Sequence, residues 1–586
     1  MKYYSRILIV TFLLGLNLNL ASARQNTAPA EQVSELYNLA TQLRADYGSL
    51  ARFYAIRNSP ERRARFQEFF NDYMKKLEQN NFNRLSQNGQ VDYLLIKQYI
   101  DDNLYQLNQE EQEYNAMSQW VSFAEPIYEI EKLRRRGKHL DSEDIAAQLN
   151  EITEQLQITS ERLKKGQTVF PKHLTDRASG VMRGHVQALR SVYEFYNGYD
   201  PEFGWWITKP YEKLTKELND YGKLIQSKVD PKTQPADDGS GIIGNPIGRV
   251  ELIRQLKNEM IPYTPEELVD MAMKEFAWCD EELLKASREM GFGDDWRAAQ
   301  EKVKMSFVPA GQQPEAMLEL YDQSVAFLKD NDLISIPPIA EETWRMTMIP
   351  PERQLISPFF LGGEVLQISY PTDEMEHDDK MMSMRGNNPH FSRSTVHHEL
   401  IAGHHLQRFM NNRYKDYRFF GTPFWTEGWA LYWELLLWDM DFPRSPEDRI
   451  GMLFWRMHRC ARIIFSLNYH LGNWTPQECI DYLVERVGHE RANAEGEVRR
   501  SFTGGYGPLY QIAYMVGGQQ FYALKRELVD GGKMSLKDFH DAVMKENAMP
   551  VEMVRAILTD QKLSKNFETN WKFYNNQLNT ESMKKY

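Results

Sequence analysis

Residues 396–407, Val-His-His-Glu-Leu-Ile-Ala-Gly-His-His-Leu-Gln, constrain this chain more than any other stretch. Four of the 13 histidines in 586 residues fall here, and Glu399 follows the second of them. Neutral imidazole nitrogens are good zinc ligands, and a carboxylate beside a ligand is where a hydrolase needs a base. The spacing does not suit an unbroken helix. In His-Glu-x-x-His the ligands lie one turn apart, but the residue four beyond His398 is Ala402 and four beyond His397 is Ile401. On a straight helix His398 and His404 stand about 9 Å apart along the axis and about 120° off a common face, and His398 and His405 about 10.5 Å apart. Two nitrogens that must each sit about 2 Å from one ion are not held that way. Either the helix breaks or bulges between Leu400 and Gly403, or no metal is shared. Gly403 is the residue that permits the break.

His398-Glu399, followed by Gly403-His404-His405-Leu406-Gln407, resembles the His-Glu-x-x-Pro-Gly-His-His-Leu-Gln signature of a large bacterial family catalogued as a domain of unknown function. That family is similar to helical zinc peptidases such as oligopeptidase F, thimet oligopeptidase and the Taq-type carboxypeptidase, whose second ligand follows a glycine in a His-Glu-x-Gly-His run. The resemblance implies His398 and His404 as ligands of one zinc ion and Glu399 as general base, with Ala402 where proline is usual. His405 is the alternate ligand, and His397 is read as an outer residue or an exposed one. Glu427, 23 residues after His404, lies in Thr426-Glu427-Gly428-Trp429, whose Glu-x-Trp core resembles the helix that brings those peptidases a third ligand. Glu427 is accordingly the third ligand, on a helix read as starting at Thr426. Glu434, two turns along the same face, would accept a hydrogen bond from a ligand histidine. The plain alternative is a pair of solvated carboxylates, on a helix that Phe424, Trp425, Trp429 and Tyr432 make unusually apolar.

A third segment extends the likeness. Glu497-Val498-Arg499-Arg500 and the run Tyr506 to Gly517 are similar to the family's Glu-Val-x-Arg-Tyr and Pro-x-Gln-x-x-x-Tyr-Lys-x-Gly, with Ser501 and Met515 replacing a tyrosine and a lysine. The resemblance implies Tyr514 as the donor that holds an oxyanion, with Tyr510 and Tyr506 as alternates that touch substrate. Arg500 is either a fork for a substrate carboxylate or the partner of Glu497.

Elsewhere the chain sets bounds. Lys2 and Arg6 precede an apolar run from Ile7 to about Leu16, and Ala21-Ser22-Ala23 is a small-x-small cleavage pattern, so residues 1–23 read as a signal peptide cleaved after Ala23. The mature protein is expected in the periplasm or outside the cell, with no remaining membrane span. Cys279, Cys460 and Cys479 are too few for a disulfide scaffold. A net charge of −12, from 82 acidic against 70 basic residues, speaks against nucleic acid. The basic run Arg134-Arg135-Arg136 reads as a solvated helix end.

Apolar residues from Val33 to Leu77 recur at steps of three and four, the helical period. Residues 230–248, rich in proline and glycine, read as a loop, and the Gly-x-Gly-x-x-Gly at Gly239 to Gly244 lacks the strand a nucleotide site requires. Thr264-Pro265-Glu266-Glu267 and Thr475-Pro476-Gln477-Glu478 are capping boxes with proline at the first helical position. Alternation over residues 344–372, with Phe359-Phe360 inside it and glycines and prolines at the bends, suggests a small antiparallel sheet, either a docking edge for an extended peptide or a cap. Asp373 to Arg385, charged and methionine-rich, reads as a mobile flap.

The fold expected is mainly α-helical, with an N-terminal helical lobe at 24–238 and a catalytic lobe at 239–586 around a deep cleft. The function expected is an exported zinc metallopeptidase acting on peptides. A metal-dependent esterase or amidase would use the same residues, and a binding or scaffold protein that has lost its metal is the third possibility.

Overall fold

The apolar spacing is realised as long amphipathic helices, and the computed structural model, which describes residues 34–233, 236–354 and 361–574, is mainly helical. The segment read as a signal peptide and the Phe359-Phe360 pair lie outside the described residues. In chain order, the elements that frame the site are α1 (Gln87–Val121), α2 (Gly248–Asn258), β1 (Arg345–Met348), β2 (Val365–Ile368), α3 (Pro389–Glu399), α4 (His404–Asn411), α5 (Pro423–Asp439), α6 (Pro446–His470), α7 (Arg491–Thr503) and α8 (Tyr510–Lys525).

The core falls into three apolar clusters. One gathers residues from Ile56 to Ile225, all in the first half of the chain. Another joins Leu36 through Leu107 to residues from Met260 to Leu563, so the first helices pack on the C-terminal half. The third runs from Ile242 to Phe573. α5 lies between the last two: Trp425, Trp429 and Trp433 face one, Phe424 and Leu431 the other. A helix apolar all round is a buried one. Any carboxylate it carries therefore needs a partner.

Proline-led caps start the helices, as the sequence indicates. Thr264 and Thr475 form complete capping boxes with Glu267 and Glu478. The same Thr-Pro device at Thr422-Pro423 starts α5 about one turn earlier than the expected Thr426, with the Thr422 hydroxyl accepting from Phe424 N. Glu427 thus sits beyond the first turn, where the helix is already buried.

Several expectations are corrected. The small sheet is parallel: Arg345 pairs with Val365 and Met348 with Ile368. The chain between the strands crosses over through a short helix, Pro351–Gln354, and so returns running in the same direction. Antiparallel pairing in this region, among the described residues, is the bridge of Leu361 to Gln367 around Gly362-Gly363. The segment read as a flap holds the helix His377–Gly386, tied down by Arg385 at 2.7 Å from Glu301 and 2.9 Å from Glu490. Arg135, read as solvated, is buried in ion pairs with Glu131 at 2.6 Å and Glu61 at 3.0 Å. Gly239 to Gly244 is irregular chain pinned by Arg499, which donates to the Ser240 and Gly241 carbonyls. Cys279, Cys460 and Cys479 are buried and unbridged.

Candidate metal centre

The helix breaks where the histidine spacing requires it. α3, capped by the Asn388 side chain, ends at Glu399, and α4 begins at His404. Leu400 (φ −111°, ψ −104°) and Gly403 (φ −87°, ψ −134°) turn the chain between them. A Cβ at position 403 would lie 1.8 Å from the His398 carbonyl oxygen and 2.6 Å from that of His397. Only glycine lets α4 start this close to the end of α3. The Ala402 carbonyl accepts from Trp429 Nε1 at 3.0 Å, which ties the turn to α5. The His398 and His404 rings are thereby brought to 4.8 Å between centroids, at 90°.

A second close approach delivers the carboxylate. Gly428 on α5 and Gly517 on α8 meet backbone to backbone, since a Cβ on Gly517 would lie 2.1 Å from the Phe424 carbonyl oxygen. The deep cleft expected between two lobes is not seen among the described residues. In its place a cavity of about 430 Å³ lies beside Tyr510. Glu427 Oε2 stands 3.1 Å from His404 Nε2 and 3.5 Å from His398 Nε2, and Glu427 Oε1 accepts from the Tyr510 hydroxyl at 2.6 Å.

These atoms fit zinc. Ligands about 2.1 Å from a tetrahedral ion stand about 3.4 Å from one another, which matches the separations of both imidazoles from Glu427. The far nitrogens are also occupied as a metal site requires. His398 Nδ1 lies 2.7 Å from Glu434, which can only accept, so Nδ1 carries the proton and Nε2 presents a lone pair. His404 Nδ1 meets Gln407 Oε1 at 2.9 Å, and the Gln407 amide is oriented by donating to the Thr426 carbonyl, also at 2.9 Å. Three electron-rich atoms thus face one point in a buried site. Of the carboxylates Glu427, Glu434 and Glu399, Glu434 is paired with Arg459 at 3.3 Å, and a dication would offset the negative charge of the others.

Where no metal binds, protons on the imidazole nitrogens that face Glu427 play its part, and the acidities show it. Burial alone lowers the pKa of His398, but hydrogen bonds to Glu427 and Glu434 more than offset it and push it up to about 9. Burial would raise Glu427, yet the charge of His404 and the hydrogen bonds from both imidazoles hold it well below the usual carboxylate range. Glu399, which those imidazoles reach only through space, is raised by burial. Glu434→Ala removes the acceptor that fixes His398. Metal affinity is expected to fall about 10- to 100-fold, read by competition with a chromophoric chelator.

The other predicted residues fall as follows. Glu399 is partly exposed, and one of its carboxylate oxygens lies within 4.8 Å of ligand nitrogens of both His398 and His404. His405 does not join the cluster, because one residue along a helix is a rotation of about 100°; its Nε2 bonds the Ala340 carbonyl at 2.7 Å. His397, expected as outer or exposed, is fully buried with its ring edge toward Phe442. Arg500 pairs with Glu497, which Arg462 also grips at 2.7 Å. Tyr514 lies parallel to His398 at 6.1 Å and donates to the Tyr510 hydroxyl at 3.4 Å, so Tyr510 and not Tyr514 touches Glu427 directly. Tyr506 stacks on Tyr510 at 4.3 Å. Sequence reasoning missed Gln407, whose signal was its place three residues after His404 on one helix face. It also missed Arg459 and Arg462, which cover the Tyr514 ring at 4.7 and 4.4 Å. They come from α6, where nothing in the local sequence marks them.

No curated protein matches the chain. Two solved structures resemble it throughout. A protein of Shewanella oneidensis described as a "putative lipoprotein of unknown function" aligns with TM-score 0.66 at 16% identity, over 90% of this chain and 100% of its own. A "putative lipoprotein" of Colwellia psychrerythraea aligns with TM-score 0.56 at 16% identity, over 90% of this chain and 97% of its own. At that identity the likeness is one of fold. The model of a bacterial family of unknown function, DUF885, matches residues 40–558 and so takes in every element of the candidate metal centre: the chain belongs to that family.

Proposed function

We propose that this protein is an exported zinc-dependent hydrolase whose reaction is hydrolysis of peptide bonds. The observation that carries the reading is the convergence of His404 Nε2 and His398 Nε2 on Glu427 Oε2, at 3.1 and 3.5 Å, with each imidazole fixed by an acceptor behind it. Zinc held by these three residues would polarise a carbonyl and acidify a water at its open position. Glu399 would take the proton of the attacking water on its carboxylate and hand it to the leaving nitrogen. The Tyr510 hydroxyl donates to Glu427, while the Tyr514 hydroxyl, which donates to Tyr510 at 3.4 Å, would turn to donate to the developing oxyanion. Gly363 N donates to the Glu399 carbonyl at 3.2 Å, so the turn beside β2 forms a wall of the site along which an extended substrate would lie.

Export rests on the sequence of residues 1–23 and on the description of both structural relatives as lipoproteins. No helix among the described residues is long and apolar enough to cross a membrane.

Protein purified without chelator is expected to carry about one zinc per chain and to cleave internally quenched peptides. Stripping with dipicolinate removes the activity and stoichiometric zinc restores it. Turnover of acyl esters but not of peptides makes it an esterase, and absence of metal makes it a binding or scaffold protein; either result overturns the proposal.

A further inference from the structure

The cavity of about 430 Å³ beside the metal centre is lined by α1, the end of α2 and the segment that leads into α5. Its walls include the rings of Tyr99, Phe419 and Phe420, and Tyr510 forms the side toward Glu427. Phe419 meets Tyr99 edge-on at 5.1 Å and Phe420 at 4.4 Å, so the rings brace one another.

Its charge is one-sided. Asp102 is neutralised by Arg254 at 2.6 Å and by the Asn258 amide at 2.7 Å. Glu259 has no such partner: its carboxylate accepts from the Thr422 hydroxyl at 2.5 Å, and no basic side chain among the described residues pairs with it. Burial, with the charge of Asp102 behind it, pushes its pKa up to about 7 against the opposing Thr422 bond. A cavity-lining carboxylate that no cation pairs is an unmet electrostatic demand. Aromatic faces around it satisfy the same kind of guest, because the ring quadrupole also attracts positive charge. Anions are repelled from such a site, and uncharged groups leave the carboxylate unpaired.

The cavity is joined to the reacting position at two points. Thr422, which donates to Glu259, also caps α5, the helix that carries Glu427. Tyr510 lines the cavity and donates to Glu427.

We propose that this cavity is the recognition pocket for a positively charged group of the substrate, an ammonium or a guanidinium, held between Glu259 and the rings of Tyr99, Phe419 and Phe420. The proposal rests on the hydrolase reading and names the substrate class: peptides that place a basic side chain or a free amino terminus next to the bond cleaved.

The test uses the full chain with Glu399→Gln to prevent turnover, and calorimetric titration with four tripeptides. These are Ala-Lys-Ala and its norleucine counterpart, each with a free and an acetylated amino terminus. A cationic peptide is expected to bind at least about tenfold more tightly than its uncharged isostere. If lysine confers this whether or not the terminus is acetylated, the pocket reads a side chain. If acetylation alone removes it, the pocket reads the terminal ammonium. Glu259→Gln, and independently Asn103→Lys, which brings a cation of the protein's own to the cavity wall, are each expected to cut the preference to less than about threefold. Equal binding of all four peptides, or a preference that survives both substitutions, overturns the proposal. Zinc content of the same preparations separates the two readings. Zinc without cation preference fails the pocket alone, and cation preference without zinc fails the hydrolase reading alone.

Discussion

Glu399→Gln is expected to leave about one zinc per chain in place while lowering kcat/KM for peptide hydrolysis about 10³-fold, the range set by loss of a positioned general base. The substitution keeps the shape of the side chain and removes only its capacity to hold a proton. It also decides between two roles that geometry brings close together. A carboxylate oxygen of Glu399 lies within 4.8 Å of both ligand imidazoles, but that of Glu427 lies at 3.1 and 3.5 Å, the ligand-to-ligand spacing of a tetrahedral site. If Glu399 were a ligand, the amide variant would lose metal and activity together. If it is the base, the two separate. The measurement is zinc by plasma emission on the same sample used for initial rates with a quenched peptide. Activity within tenfold of the parent removes Glu399 from the reaction.

Much of this site was readable because its parts are local. The requirement for a break between Leu400 and Gly403 follows from helical rise alone, and the structure ends α3 at Glu399 and restarts at His404. The long helices were readable for a similar reason, since their apolar stripes are periodic over many turns. Two things were not local and were misjudged, and a third was left open. The start of α5 was placed at Thr426 because the carboxylate drew attention from Thr422-Pro423, although the same pair had been read correctly as a cap at Thr264 and Thr475. The direction of the small sheet depends on the crossover after Met348, which alternation of residues does not encode. The fate of His405 and His397 depends on what surrounds them, the Ala340 carbonyl and Phe442, both distant in sequence. The crossing of α5 and α8 at Gly428 and Gly517 was visible as two glycines and nothing more. Which glycine meets which backbone is a property of the packed pair of helices.

Gly403→Ala is the sharpest test of the structural half of the argument. An added methyl would sit 1.8 Å from the His398 carbonyl oxygen, 2.5 Å from its carbon and 2.6 Å from the His397 oxygen. All three are backbone atoms of the last turn of α3, so no side chain can turn aside to relieve the contact. Relief requires α4 to draw away from α3. That motion carries His404 away from His398 and Glu427, and also strains the hydrogen bond from Trp429 to Ala402. Overpacking against rigid backbone is expected to cost about 3 kcal/mol or more, read as a lower urea midpoint. Displacing one ligand of three by an ångström is expected to weaken zinc binding more than about 100-fold, so the protein should be isolated without metal. Gly48→Ala calibrates the result. Gly48 lies inside the helix Tyr37–Phe53, where the added methyl meets only the tip of Arg52 at 3.4 Å. There alanine should stabilise by up to about 1 kcal/mol through helix propensity. A Gly403→Ala protein that keeps its zinc and its urea midpoint would mean that the helix break is not what joins the two imidazoles. The shared site would then have no structural basis, because the same histidines on a continuous helix stand about 9 Å apart along its axis.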